Sequence, residues 1–329
     1  MKRLLLTLAF SALCFAPEAF SQKVTGVINV GGQPGQLATN TSTNMIYVAN
    51  TTLNTITVVD GSSNQVVTNI AMPSVPFSVA VNPTTNVIYV TTGSPSNSIV
   101  VINGSSNTVT ATISNASPGF IAVNPVTNLV YFSSLSTSLG VLDGATNEIV
   151  NTITTPYGIQ GIAVNQLTNR IYLSESSFPN SQVVVVDGST NRVFAFQIPG
   201  ACLLTSIAVD SALNRIYVID NNCSQLYVIS GRSNKLLATI LQGTGSLMTL
   251  NQNLNVIADF GGITSPVLSF VSLRTDKTIS SLTFPRSGRG PAAIAANGNR
   301  YYIPFSQSDE VAVVSGPKSS PKHRTRGNR

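Results

Sequence analysis

Gly161 to Ile198 reads GIAVNQLTNRIYLSESSFPNSQVVVVDGSTNRVFAFQI. Four short runs rich in β-branched and aromatic residues stand out: GIAVN (Gly161 to Asn165), RIYLS (Arg170 to Ser174), QVVVVD (Gln182 to Asp187) and RVFAFQI (Arg192 to Ile198). Leu-Thr-Asn, a Ser/Pro/Asn stretch and Gly188-Ser189-Thr190-Asn191 separate them, and all are turn formers. The segment therefore predicts an antiparallel meander of four strands, a to d. No stretch beyond the first twenty residues shows a helical period of 3.6.

The same unit recurs along the chain. Aligned on the Asn of an Asn-x-x-Tyr element, copies begin at Asn44, Asn86, Asn128, Asn169, Asn214, Asn255 and Asn299, at intervals of 42, 42, 41, 45, 41 and 44 residues. One meander alone leaves its faces and outer strands uncovered. Stacking such sheets radially covers them, and four strands per 40 to 50 residues is the period of a β-propeller. The fold class expected is all-β, a seven-bladed propeller.

The ends support closure of a ring. After EVAVVS (Glu310 to Ser315) the seventh copy runs into a Pro/Lys/Ser tail without a strand d. Val24 to Ile28 meanwhile precedes the first copy without a partner. Ile28 lies 12 residues before Asn40, as Ile70 does before Asn82, Ile153 before Asn165 and Ile198 before Asp210. The leading strand is thus expected to complete the last blade.

Strings such as IAVNP (Ile121 to Pro125), IYVAN (Ile46 to Asn50), VVDGSSN (Val58 to Asn64) and VLDGATN (Val141 to Asn147) resemble the YVTN-repeat β-propeller family, of YncE-like and surface-layer type. The resemblance spans Val24 to Gly316. It implies the propeller fold and an exported protein, and is weak for activity. The sixth copy departs from it, with Ala258 in place of the Tyr and Leu273-Arg274-Thr275-Asp276 in place of the Asp-Gly turn, so an irregular sixth blade is expected.

Lys2 and Arg3 precede the apolar run Leu4 to Phe15, then Pro17 and Ala19-Phe20-Ser21. This is the pattern of a secretory signal peptide over residues 1–21, with cleavage near Ser21. Residues 22–316 form the propeller, and 317–329 a basic, disordered tail. The expected location is the periplasm or the exterior. No run in the sequence reaches the ~20 apolar residues of a membrane-spanning helix.

The net charge of +6 belongs to the ends. From Lys23 to Gly316 there are eleven basic and eleven acidic residues, so the body is neutral and nucleic acid is not an expected partner. The single histidine, His323, lies in the tail, which removes a Ser-His-Asp triad, a His-ligated haem and a His-based metal centre from the body.

In such a ring the d-to-a and b-to-c connections share one face, around the mouth of the central channel. The d-to-a positions nearest that mouth are Gln36, Phe77, Phe120, Gln160, Thr205, Leu247 and Arg289, none of them acidic. The b-to-c connections supply Glu175 and Asp220 at equivalent places in neighbouring blades, with Asp309 and Glu310 two blades on. With Arg286 and Arg289 on the same face, they make a polar patch over blades 4 to 7, the binding-site candidate, read either as a site or as solvated loop charges. Tyr47, Tyr89, Tyr131, Tyr172 and Tyr217 share one strand-b place, which predicts packing between blades. Asp60, Asp143 and Asp187 head c-to-d turns, with the following Gly expected to supply a positive φ. Cys202 and Cys223 fall in connections on one face of blade 5, which in an exported protein predicts a disulfide closing a loop of about 20 residues.

The expectation is a non-enzymatic, monomeric binding or scaffold protein of the cell envelope, needing no cofactor and presenting loops to a protein or polymer. The alternative is a cation-assisted, lactonase-like hydrolase, in which a divalent cation is held by Glu175, Asp220 and neighbouring groups.

Overall fold

The computed structural model describes residues 22–114, 116–134, 137–176, 181–241, 245–261, 267–284, 295–305 and 307–317. These form seven four-stranded antiparallel sheets. In blade 4 the strands are a (Ile159–Asn165), b (Arg170–Glu175), c (Gln182–Asp187) and d (Val193–Gln197), within two residues of the runs read from sequence. Each strand a lies against the strands a of the neighbouring blades, and that of blade 1 (Pro34–Asn40) meets that of blade 7 (Ala295–Asn297). The strands a therefore wall a central channel and the strands d form the rim. The leading strand (Val24–Asn29) pairs antiparallel with the last (Glu310–Ser315), which closes the ring. The proposed signal segment, residues 1–21, and the tail from 318, with His323, lie outside the described residues.

Each seam between blades carries its own apolar cluster. Tyr47 of blade 1 packs on Val79, Ile88 and Val90 of blade 2, and Tyr172 of blade 4 on Leu204, Ile207 and Ile216 of blade 5. The strand-b tyrosines Tyr47, Tyr89, Tyr131, Tyr172, Tyr217 and Tyr302 are all buried. Burial pushes their phenols up, to about 12 at Tyr89, Tyr131 and Tyr217, so these rings stay neutral. They serve the seams, not a stacking surface.

The recurrent Asn has two tasks. Asn44, Asn86, Asn128, Asn169, Asn214 and Asn255 close the a-to-b hairpins with φ between 49° and 60°, a left-handed backbone that Asn tolerates. Five of these side chains also accept a hydrogen bond from the preceding blade: Asn40 Nδ2 donates to Asn86 Oδ1 at 2.7 Å, Asn82 to Asn128 at 2.7 Å, Asn124 to Asn169 at 2.9 Å and Asn165 to Asn214 at 2.9 Å. Asn297 donates likewise to Asn44 across the closing seam. Each buried donor's Oδ1 meanwhile accepts from its own turn, as Asn82 does from Thr84 N. A row of buried amides thus links the blades with its hydrogen-bonding capacity used.

Two expectations are corrected here. The Gly of the Asp-Gly turns does not supply a positive φ. Asn64, Asn107, Asn147, Asn191 and Asn234 take that backbone at the ends of the turns. Gly61 is needed because a Cβ there would sit 2.7 Å from Asn44 Oδ1. Nor is blade 6 irregular: its four strands pair throughout, with bulges at places matched in other blades. The Tyr-to-Ala change on strand b is balanced across the sheet. Ala258 faces Phe270, where the corresponding pairs are Tyr47 with Val58 and Tyr217 with Val228. The large ring has moved one strand outward, and it stacks edge-on against Tyr301 of blade 7 at 5.0 Å.

The seam between blades 5 and 6 differs from the others. Asp210 stands where the other donors have Asn, so its carboxylate accepts from Ala212 and Leu213 but cannot donate to blade 6. Arg215 instead reaches across to Asp276 at 3.4 Å, the single ion pair among the described residues. On strand b of blade 6 (Val256–Gly261), Asp259 takes the place held by Val48, Val90, Phe132, Leu173, Val218 and Ile303. It is 3% exposed and its Oδ1 has no partner. Burial alone pushes its carboxyl up from 3.8 to about 7.

Candidate functional site

The channel mouth is shaped by bulges at the start of the strands a of blades 1 to 6. Gln36, Phe77, Phe120, Gln160 and Thr205 each fall within a register shift between strands a and b, where the extra residue turns from the sheet. Leu247 follows its bulge rather than occupying it. Gln36, Phe120, Gln160, Thr205 and Leu247 line a cavity of about 310 Å³ on the axis, floored by Leu37, Val79, Ile121, Ile207 and Met248. No described lining residue is charged. Phe77 stands at the lip of the mouth, 45% exposed, and meets Phe120 of the next blade edge-on at 5.4 Å. An uncharged, partly amide-lined bowl with an exposed aromatic edge suits a neutral ligand group with an apolar body.

Two carboxylates of the polar patch, Glu175 and Asp220, are turned away from solvent. Glu175 and Asp220 do end strand b in neighbouring blades, but both are 0% exposed. Glu175 Oε2 accepts from Tyr157 N at 3.2 Å and from Gln182 Nε2 at 2.9 Å, while Oε1 has no partner. Burial is the largest influence on its carboxyl and raises its pKa, against the lowering effect of these donors. Asp220 is used more fully. Its oxygens accept from Cys202 N at 2.6 Å, Leu203 N at 2.9 Å, Cys223 N at 3.2 Å and the Tyr227 hydroxyl at 3.3 Å. Asn50 holds the corresponding place in blade 1 and donates to Val30 O at 3.1 Å. This position therefore ties the incoming d-to-a connection to the end of strand b, a role that does not need charge. Neither carboxylate is one of the solvated loop charges considered from sequence, and no hydrogen bond or ion pair joins the two.

Cys202 and Cys223 form a disulfide, with Cα atoms 5.9 Å apart. Asp220 lies against it, so two sulfurs and a carboxylate cluster. The sulfurs are spent on one another and the carboxylate on its four donors. Asp309 is exposed, and its carbonyl accepts from Val30 N at 3.0 Å, fastening the closing strand. Arg286 and Arg289 lie outside the described residues. The sequence reading missed Asp259, although NVIAD at a place otherwise written with an apolar residue is its signal.

No family model matches the chain, and no curated protein matches it. Among solved structures it superposes on Raptor of Chaetomium thermophilum with a TM-score of 0.77 at 12% identity, over 90% of this chain and 29% of that one. It also superposes on a hydrazine synthase chain of Kuenenia stuttgartiensis, with a TM-score of 0.75 at 16% identity over 88% and 96% of the two chains. The β-propeller domain of Cps50 (Swd1) from Myceliophthora thermophila gives 0.75 at 8% identity over 90% and 99%. The chain is thus a seven-bladed β-propeller. It spans less than a third of the Raptor chain, and likeness at these identities is likeness of fold alone. No helix among the described residues is long and apolar enough to cross a membrane.

Proposed function

We propose that the chain is a non-enzymatic binding scaffold of the cell envelope, an exported YVTN-type propeller that offers its loop face to a protein or polymer partner. The observation that carries this reading is the division of labour on that face. The carboxylates a hydrolase would need, Glu175 and Asp220, are buried and held by hydrogen bonds, whereas the described residues lining the mouth are uncharged and the Phe77 edge stands exposed beside them. A cation-assisted lactonase would have to break four hydrogen bonds to free Asp220. Export is supported by the leading basic and apolar segment and by the disulfide, since such bonds persist in oxidising compartments.

Sedimentation of the purified mature protein with isolated envelope fractions, beside a thermal-shift series with divalent cations and lactones, tests the reading. Retention on the envelope fraction should fall at least tenfold in Phe77→Ser with the melting temperature kept. A cation-dependent rise in melting temperature that Asp220→Ala removes, or turnover of a lactone, would overturn it.

A further inference from the structure

The outer strands are the exposed edges of the molecule, and six of the seven are interrupted in the same way. The shifts fall at Val58/Val59, Val101/Ile102, Val141/Leu142, Val228/Ile229, Phe270/Val271 and, on the closing strand, Val24/Gly26. A bulge twists an edge and spoils its hydrogen-bonding row, a common defence against strand addition. Blade 4 has none. Gln182 to Val186 pair without a shift with Gln197 to Val193.

Arithmetic in the sequence explains the exception. Asp60, Asn103, Asp143 and Ser230 are each followed ten residues later by an Ile that turns inward, Ile70, Ile113, Ile153 and Ile240. Side chains alternate along a strand, so one bulged residue is needed to bring that Ile to the correct face. In blade 4 eleven residues separate Asp187 from the buried Ile198, and the parity is already right. The resulting edge is straight, short and apolar, with Val193 38% and Phe194 41% exposed and Phe196 packed on the seam with blade 5. Asp187 N donates to Arg192 O, so by antiparallel alternation the N–H and C=O groups of Val193, Ala195 and Gln197 face outward, away from the sheet.

We propose that the outer strand of blade 4 is a second binding surface, which accepts an extended segment of a partner protein as a fifth antiparallel strand. Main-chain hydrogen bonds to Val193, Ala195 and Gln197 supply the affinity in such an addition. Val193 and Phe194 supply apolar contacts to either side of the added strand. Arg192 is exposed at the head of the strand, with no ion pair among the described residues, so the segment carries an acidic residue opposite it. A peptide is favoured over a second copy of this chain because five residues of edge fall short of the roughly 1,200 Å² of a stable interface between two rigid bodies. This surface lies on the rim, so the inference does not depend on a ligand at the channel mouth.

The probe is a blocked seven-residue peptide alternating Val and Thr with one Glu at its C-terminal end, added to the whole protein at millimolar concentration and read by amide hydrogen exchange. Exchange at Val193, Ala195 and Gln197 should slow at least fivefold, while that of the bulged outer strand of blade 1 (Gln65–Ala71) is unchanged. Val193→Lys should abolish the protection and Val66→Lys should not. The proposal is overturned if all edges are protected alike, if none is, or if a backbone N-methylated peptide protects equally. Protection that appears with protein concentration alone would also overturn it, by assigning the edge to a second copy.

Discussion

Asp259 makes the stability of the ring depend on pH in the direction opposite to most carboxylates. Its neutral form is the one the seam between blades 5 and 6 accommodates, since burial is the cause of the rise to about 7. Below about pH 4 the group is protonated in both the folded and the unfolded chain and contributes no difference. As pH rises towards 7 the unfolded chain ionises while the folded one holds its proton, so stability falls over that window. A rise from 3.8 to about 7, at about 1.4 kcal/mol for each pH unit, corresponds to a loss of about 4 kcal/mol by pH 8. Asp259→Val places at this position the residue blades 1, 2 and 5 carry there. Urea denaturation at pH 4.5, where about 1 kcal/mol of this is already lost, and at pH 8 should show the parent losing a further ~3 kcal/mol that the variant keeps. Parallel pH profiles for the two proteins would show that the carboxyl is solvated, and would refute the reasoning.

Three further outcomes follow from the packing. Ala258→Tyr should cost about 1–3 kcal/mol by overpacking against Phe270, and Phe270→Val roughly 2 kcal/mol by leaving a void. The double variant should be more stable than their sum by at least about 1 kcal/mol in a denaturation cycle. Asp210→Asn should add the missing amide donor towards blade 6 and stabilise by about 1 kcal/mol, read as a higher urea midpoint. Cys202→Ser with Cys223→Ser, opening a link between residues 21 apart, should cost about 3 kcal/mol, and the parent measured under reductant should fall to the same midpoint.

The architecture was readable because one residue type performs one task at each copy. An Asn that must both turn the chain and receive an amide from the previous blade cannot drift, and so the period survives. The closing strand was readable for a related reason, as the distance from Ile28 to Asn40 repeats inside the chain. What escaped was whatever depends on neighbours distant in sequence. The loss of Tyr at Ala258 looked like damage because its compensation, Phe270, lies on another strand. The glycine after Asp60 was read as a backbone choice, although its cause is the approach of Asn44. Glu175 and Asp220 were placed in the correct connections, but a charged residue at a strand end gives no sign of whether it faces water or the amides of the next loop. The straight edge of blade 4 was visible as a one-residue difference in spacing, and acquires meaning only once the outer strands are known to be edges.

A closed circle has no weakest end, so the order in which its joints yield is set by their chemistry. Most of the described joints are fastened by neutral amides that neither salt nor alkali disturbs. One joint exchanges that amide for a half-buried ion pair, which salt screens in part, and holds a carboxyl that acquires charge as the medium turns basic. Under load or in alkaline brine the circle should breach there, between its fifth and sixth sectors, while the clasp that unites the two termini stays fastened.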